Sequence, residues 1–303
     1  MSAEATTIAP ALAKQRNAAW SAFLASARPR QWPKNLILFG PLVFAYKLFA
    51  PGLLLREMGA FVAFCLASSA IYIVNDVLDV EHDRLHPDKR LRPIASGLVS
   101  PGQAMAAAGA FGVAGLLLGF AISVELGLAA AGYIVLMVGY STVIKHLVIL
   151  DVFAIAAGFI LRAVAGALAI HVIISPWLYV CTLLLALFLG FSKRYNELLV
   201  LQEGAATHRR SLADYTPAML EQLTSILVAS TIMAYSLYTF SAENVPASHS
   251  LMLTIPFVLY GIFRYYYLVH KKSLGGAPEL VLLRDVPLMV DVALWGAVSV
   301  AVL

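Results

Sequence analysis

The residues of this sequence best suited to chemistry lie in one short acidic stretch. Its nine residues include Asn75, Asp76, Asp79 and Asp83, whose side chains carry amide or carboxylate oxygens. The four-residue spacing of Asn75, Asp79 and Asp83 places them on one face of a continuing helix, where like charges repel. Mg²⁺ binds through one or two protein carboxylates and takes its other ligands from phosphates and water. The stretch therefore predicts a Mg²⁺ site; a solvated acidic helix end is the alternative interpretation.

Two basic groups accompany the acidic stretch. Lys89 and Arg90 follow it directly, and Lys193 and Arg194 lie in a second polar cluster together with Glu197. Lysine and arginine side chains bind phosphate oxygens, so both groups are candidate substrate-binding sites. The alternatives are ordinary positive-inside topology for the first group and a surface ion pair between Lys193 and Glu197 for the second.

Arg162 stands near the middle of an apolar stretch, where a guanidinium is unfavourable unless it faces a polar cavity or a partner. Asp151 lies eleven residues earlier and, at 3.6 residues per turn, shares its helix face. We therefore expect Arg162 to line a polar cavity that receives the substrate; the alternative is a structural pair with Asp291. Further candidate substrate-binding residues near the mouth of the cavity or in its cap are Lys34, Tyr72, Tyr140, Lys145 and Arg210.

These residues must be positioned by apolar helices. Hydrophobic residues make up 61% of the 303 residues, charged residues only 13%, and the mean hydropathy is +0.83. Soluble domains are about 45–50% apolar and about 25% charged. The sequence therefore predicts an all-α polytopic membrane protein, and it excludes soluble enzymes, disulfide-rich secreted proteins and disordered proteins. Because a span needs roughly 20 apolar residues, we predict nine transmembrane helices at 36–55, 58–75, 104–123, 126–144, 149–170, 174–192, 219–241, 250–269 and 286–303.

The basic residues indicate the topology. Of the 21 lysines and arginines, 18 lie in alternate polar segments between the predicted spans. Cytoplasmic loops are enriched in such residues, so we expect the amino terminus and the active site to face the cytoplasm. The formal charge of +4 then reflects topology, and no nucleic-acid partner is expected. The predicted organisation is a cytoplasmic segment 1–35 and one transmembrane domain 36–303, with cytoplasmic cap loops at about 76–103 and 193–218.

Over nearly its whole length the sequence resembles the UbiA superfamily of intramembrane transferases. The resemblance rests on the nine predicted spans and on two motifs, Arg28-Pro…Trp32-Pro-Lys34-Asn35 and Asn75-Asp76-x-x-Asp79-x-x-x-Asp83. It implies a bundle of two related four-helix halves plus one helix, with Mg²⁺ as the cofactor. Ordinary members join a prenyl diphosphate to an aromatic acceptor and carry a second Asp-rich motif. Here that position holds a basic pair and a single acid: Lys193, Arg194 and Glu197.

This basic second motif is similar to the phosphoribosyltransferase branch of the superfamily. The similarity implies transfer of a 5-phosphoribosyl group from 5-phosphoribosyl 1-diphosphate to a polyprenyl (decaprenyl) phosphate, with release of diphosphate. It implies a role in cell-wall arabinan precursor synthesis in the bacterial inner membrane, and a homo-oligomer such as a trimer. It also implies that Asn75, Asp79 and Asp83 bind Mg²⁺, with Asp76, Asp79 and Asp83 as the catalytic residues. The basic residues named above would bind the phosphates.

Three other functions compete with this one. The nearest is a transferase that joins a prenyl diphosphate to an aromatic acceptor. A transporter would use polar residues along its path, but the ionisable residues here concentrate on the predicted cytoplasmic side, whereas transporter sites lie near the membrane midplane. A non-enzymatic assembly subunit would not need an acidic face that suits Mg²⁺.

Overall fold

The structure is a computed structural model of the chain. It describes residues 21–45, 47, 49–87, 89–173, 176–201, 212, 214–241, 248–272, 281 and 284–302. Throughout these ranges the regular secondary structure is helical, in agreement with the predicted all-α class. The predicted substrate-binding residue Arg210 lies outside the described residues.

The α-helices follow one another along the chain with short 3-10 helices between some of them. In chain order they are α1 (Gly40–Phe44), α2 (Pro51–Leu78), α3 (Val80–Leu85), α4 (Pro101–Ile122), α5 (Val124–Thr142), α6 (Leu150–Ala169), α7 (Pro176–Leu201), α8 (Pro217–Ser241), α9 (Ile255–Lys272) and α10 (Val286–Val302). The 3-10 helices are Pro29–Phe39, Lys89–Leu91, Ile144–His146 and Ser250–Thr254.

Many of these helices have the length and composition of membrane spans. Within the described ranges, six qualify: α2, α4, α5, α6, α8 and the stretch Ser250–Lys271. Helix α7 has 26 residues and is about 39 Å long, and α10 is a shorter apolar helix. A chain with this many apolar helices is an integral membrane protein. The full number of nine spans stays a prediction.

The first predicted span, 36–55, does not form a single helix. The 3-10 helix Pro29–Phe39 leads into α1, and α2 then starts separately at Pro51. Proline donates no backbone hydrogen bond and is favoured in the first turn of a helix, so Pro41 and Pro51 begin helices instead of continuing one. Because a 3-10 helix rises about 2.0 Å per residue, Pro29–Phe39 and α1 together still reach about 30 Å.

Small residues let the first helices approach each other closely. A methyl group on Gly115 of α4 would lie 2.8 Å from the carbonyl oxygen of Ala63 in α2, and one on Gly166 of α6 would overlap the carbonyl oxygen of Leu38. Larger side chains would push these helices apart. As a result α2 packs against α4, α5 and α6, and the 3-10 helix Pro29–Phe39 is held between α2 and α6.

The second group of helices continues from α6. Helix α7 packs against α6 and α8, and α9 packs against α8 and α10. The core between them is apolar and includes Val152, Phe188 and Tyr265. Helices α2 and α7 end, and α6 begins, at one end of the bundle, where Asp79 meets Lys145 and Asp151 meets Arg194. This polar end collects most of the predicted site residues.

Candidate active site

The acidic stretch forms the end of α2 and the start of α3. Asp79 lies between the two helices, and its backbone N–H still donates to the Asn75 carbonyl oxygen over 2.9 Å. The helical turn therefore continues, as the spacing predicted. The Asn75 side-chain Nδ2 donates to Asp79 Oδ2 over 2.9 Å, so these two side chains share one face.

Arginines neutralise the two buried carboxylates of this stretch. Asp76 and Asp83 are each only 3% exposed. Arg92 Nη1 lies 3.1 Å from Asp76 Oδ1 and 2.5 Å from Asp83 Oδ2, and Arg28 contacts the same oxygen of Asp76. A buried charge is tolerated only when it is paired and hydrogen-bonded. Arg28 and Arg92 thus resolve the repulsion that the sequence implied for Asp76 and Asp83.

Asp79 is more accessible than Asp76 and Asp83. Its side chain is 29% exposed, and Lys145 Nζ lies 2.6 Å from its Oδ1. Lys145 comes from the 3-10 helix Ile144–His146, between α5 and α6. The contact therefore brings the loop before α6 against the end of α2.

The donor set of this turn fits Mg²⁺ through Asn75 and Asp79. Among the described residues, no three His, Cys, Asp or Glu side chains form a group that would enclose a metal ion by themselves. Mg²⁺ needs only one or two protein carboxylates when phosphates supply the other oxygens, and a partly exposed aspartate beside an amide oxygen meets that need. Asp83, whose carboxylate is engaged by Arg92, stays a predicted third ligand.

Lys89 links the acidic stretch with the second polar cluster. Its ammonium is within electrostatic range of Asp79, Asp83 and Glu197. Burial lowers the pKa of Lys89 and the neighbouring Arg92 lowers it further, whereas these carboxylates act in the opposite direction. Arg90 beside it is exposed. The two predicted phosphate ligands of this loop therefore differ, because Lys89 lies within the site and Arg90 lies at its surface.

The two basic residues of α7, Lys193 and Arg194, also differ in exposure. Arg194 is 1% exposed; its Nε lies 2.8 Å from Asp151 Oδ2 and its Nη1 contacts Glu197. Lys193 is 38% exposed on its side chain, and its Nζ lies 3.9 Å from Glu197 Oε1, which is a loose surface pair. Arg194 is therefore engaged by two carboxylates, the buried one of Asp151 and the partly exposed one of Glu197, and Lys193 is the member of the pair that is accessible to an anion.

Two other predicted residues lie close to Lys193. Lys34 and Tyr140 are both within its electrostatic range. Lys34 belongs to the 3-10 helix Pro29–Phe39, and Tyr140 lies near the end of α5. Tyr72, on α2, contacts Arg28 instead: the guanidinium of Arg28 lies 5.4 Å from the ring centre of Tyr72.

Arg162 lies in the protein interior and bonds to neutral groups. It is 5% exposed. Its Nε donates to Asn35 Oδ1 over 2.6 Å, its Nη2 to the Tyr133 hydroxyl over 2.7 Å and its Nη1 to the Gly158 carbonyl oxygen over 3.0 Å. Its guanidinium also lies 4.5 Å from the Tyr133 ring centre. These contacts leave few N–H groups for a phosphate, and the lining of a cavity by Arg162 stays a prediction.

The acids considered as neighbours of Arg162 lie elsewhere. Asp151 pairs with Arg194 at the start of α6, about 16 Å along the helix. Asp291 packs between α9 and α10, where a methyl group on Gly261 would lie 2.8 Å from its Oδ2. The structural pair with Asp291 is therefore not formed.

Several residues that organise this end of the protein were not among the predicted site residues. Their roles depend on contacts between distant segments, which no local spacing encodes. They are Arg28, Asn35, Arg92, Tyr133 and Tyr215.

Residues 18–283 match the model of the UbiA prenyltransferase family. The chain belongs to this family. The match covers most of the chain and confirms the resemblance of its motifs to UbiA proteins. This UbiA protein is accordingly a membrane transferase, which argues against the transporter and the assembly subunit.

Two curated relatives carry the name decaprenyl-phosphate phosphoribosyltransferase. The protein of Mycolicibacterium smegmatis is 34% identical over 301 residues, which cover 93% of this chain and 92% of the relative. That of Corynebacterium glutamicum is 37% identical over 275 residues, which cover 88% and 82%. The UbiA protein described here is thus similar to this branch along nearly its full length.

Solved structures agree on the fold. A UbiA homolog from Archaeoglobus fulgidus bound to GPP and Mg²⁺ superimposes with a TM-score of 0.71 at 19% identity and covers 93% of this chain and 99% of its own. The same homolog bound to DMAPP and Mg²⁺ gives a TM-score of 0.72 at 19% identity, with 92% and 98% covered. At this identity the comparison shows a common fold.

Proposed function

We propose that this UbiA protein transfers a 5-phosphoribosyl group from 5-phosphoribosyl 1-diphosphate to a polyprenyl phosphate and releases diphosphate. The observation that carries the proposal is the accessible ammonium of Lys193, which lies 3.9 Å from Glu197 Oε1 and within electrostatic range of Lys34. Two ammonium groups within electrostatic range repel each other, so an anion bound between them is favoured. A phosphoribosyl donor has a 5-phosphate for this position, whereas a prenyl diphosphate has none.

The names of the curated relatives support the same reaction. Both relatives described above carry a phosphoribosyltransferase name and align with about nine-tenths of this chain. The prenyl diphosphates in the Archaeoglobus structures favour the rival reaction with an aromatic acceptor. Since those structures are far less similar in sequence, we treat that reaction as the second candidate.

The residues can be assigned to steps of the transfer. Asn75 and Asp79, with Asp83 as the third predicted ligand, would hold Mg²⁺, which when bound supplies electrophilic neutralisation of the leaving diphosphate. Lys145 holds the Asp79 carboxylate in place. Lys89 would share the charge of the diphosphate, because it faces the acidic stretch.

The bond changes need no strong base. The anomeric C–O bond breaks as the diphosphate leaves with the electron pair, and an oxygen of the lipid phosphate attacks the ribosyl carbon from the opposite face. That oxygen is already ionised at neutral pH. Rate acceleration would come from positioning and charge stabilisation, which suits a site rich in charged side chains and poor in free bases.

The membrane setting fits one soluble and one lipid substrate. We propose that the polar end faces the cytoplasm of a bacterial inner membrane and that the polyprenyl chain enters from the bilayer. The product would then serve cell-wall arabinan synthesis, and a trimer is the proposed assembly. These proposals follow from the basic-residue topology and from the resemblance to the phosphoribosyltransferase branch.

A transfer assay tests the reaction. Purified protein in detergent with Mg²⁺ receives ribosyl-labelled 5-phosphoribosyl 1-diphosphate and decaprenyl phosphate, and we expect label in the lipid fraction. A parallel reaction receives labelled geranyl diphosphate and 4-hydroxybenzoate. Labelled phosphoribosyl lipid in the first reaction, with no prenylated aromatic product in the second, supports the proposal. Prenylated aromatic product in the second reaction, with no phosphoribosyl lipid in the first, would overturn it.

Replacing Lys193 with methionine should weaken donor binding. The variant loses one charge-assisted contact, worth about 1.5–3 kcal/mol, and we expect the donor KM to rise roughly 10- to 100-fold with an unchanged KM for the lipid. Steady-state kinetics with each substrate varied in turn measure both values. Lys271→Met, an exposed lysine near the end of α9, is the matched control. Equal donor KM values for the two variants would contradict the assignment.

A further inference from the structure

The backbone turns sharply just before α6. Ile149 has φ 68° and ψ −52°, and the Leu150 N–H donates to the Val148 carbonyl oxygen over 2.7 Å. This is a γ-turn of the rare, strained form. A β-branched side chain at positive φ is more unfavourable still, so other contacts must hold the turn.

The hydroxyl of Tyr215 contacts this turn. It accepts a hydrogen bond from the Ile149 N–H over 2.7 Å and donates one to Asp151 Oδ1 over 3.1 Å. Tyr215 is 3% exposed, and its ring packs edge-on against Phe191 of α7. Burial raises the pKa of Tyr215, and Asp151 raises it further, so the hydroxyl keeps the proton that it donates.

The turn lies between the two halves of the candidate active site. On one side it is four residues from Lys145, whose Nζ lies 2.6 Å from Asp79. On the other side Asp151 accepts a hydrogen bond from Arg194, which also contacts Glu197. A movement of the turn would therefore displace both Lys145, which pairs with Asp79, and Asp151, which pairs with Arg194.

We propose that Tyr215 is a positioning residue that fixes the γ-turn at Ile149 and thereby sets Lys145 against Asp79 and Arg194 against Glu197. Tyr215 belongs to the segment just before α8, so this contact ties the start of α8 to the loop between α5 and α6. Its effect on kinetics rests on the proposed function, whereas its effect on the loop does not.

The test compares Tyr215→Phe with Tyr235→Phe. Tyr235 is a matched control because it is also buried and its hydroxyl also makes two hydrogen bonds, with Thr254 Oγ1 at 2.7 Å and Trp295 Nε1 at 2.8 Å. Both variants lose a buried hydroxyl. We expect hydrogen–deuterium exchange of peptides covering 143–150 to become at least about tenfold faster only in Tyr215→Phe, since an amide that loses its partner is exposed by smaller openings.

Kinetics give the second measurement. We expect Tyr215→Phe to raise the donor KM about tenfold, with little change in the lipid KM, and Tyr235→Phe to change neither. Equal exchange of 143–150 in the two variants, or an unchanged donor KM, would overturn the positioning role. Wild-type protein that fails to transfer label would overturn the proposed function instead, and the exchange comparison would then decide the role of Tyr215.

A double-mutant comparison tests whether Tyr215 acts through the γ-turn. Glycine adopts positive φ without strain, so Ile149→Gly relaxes the turn. In that background we expect Tyr215→Phe to accelerate exchange of 143–150 less than it does in the wild type. Equal acceleration in both backgrounds would show that the two residues are not coupled and would reject the proposal.

Discussion

Replacing Asp79 with asparagine should reduce turnover on the order of 10³-fold, as the loss of one charge-stabilising group in an active site does, while the protein stays folded. Asp79 is a partly exposed carboxylate, and the contacts that it loses are the ion pair with Lys145 and the hydrogen bond with Asn75. An ion pair that still reaches solvent contributes about 1 kcal/mol to stability. Activity and stability should therefore separate in this variant.

The control for Asp79→Asn is available in the same turn. Glu81 is 77% exposed on its side chain and pairs only with Arg84, at 2.9 Å among the described contacts, so Glu81→Gln should keep nearly wild-type turnover. Label transfer and thermal unfolding would be measured on the same preparations. A fully active Asp79→Asn protein would remove the basis for the Mg²⁺ site; loss of activity in both variants would point to a general effect of the turn.

The same stretch shows how far spacing can predict a site. The four-residue period correctly places Asn75 and Asp79 on one face, because a helical turn is a local property. It could not indicate that Arg92 would join Asp76 to Asp83. The repulsion between carboxylates predicted nearby cations in general, and their identity depends on how distant segments pack.

The helices show a similar division. Apolar composition predicted an all-α membrane protein correctly, because the bilayer requires internally bonded backbone. The single span at 36–55 was wrong, since composition does not register that Pro41 and Pro51 favour helix starts. No feature of the sequence predicts the γ-turn at Ile149, because isoleucine rarely adopts the positive φ that this turn requires.

Arg162 shows why a buried charge does not by itself locate a substrate. Its unfavourable position predicted a polar cavity or an acidic partner, and neither interpretation named neutral hydrogen-bond acceptors. Asn35, Tyr133 and the Gly158 carbonyl oxygen satisfy it instead. Hydrogen bonds from a charged donor to neutral acceptors are each worth about 1.5–3 kcal/mol, enough to hold the side chain in the interior.

This arrangement predicts that Arg162→Met destabilises the protein. The substitution leaves the oxygens of Asn35 and Tyr133 buried without a donor, which costs about 1–3 kcal/mol for each group. Removal of a buried charge offsets part of that loss, and we expect a net decrease of roughly 2–4 kcal/mol in the free energy of unfolding. The melting temperature in detergent would show it.

Loss of the hydrogen bonds of Arg162 should also affect the active site, through the 3-10 helix Pro29–Phe39. Asn35 follows Lys34 directly in the 3-10 helix Pro29–Phe39, so release of Asn35 from Arg162 displaces Lys34 from Lys193 and raises the donor KM.

Arg56→Met is the control, because Arg56 is a partly exposed arginine at the other end of α2 that donates to the Ile122 carbonyl oxygen over 3.0 Å. It should cost less than about 1 kcal/mol. Equal melting temperatures for the two variants would show that the buried hydrogen bonds of Arg162 do not anchor the 3-10 helix Pro29–Phe39.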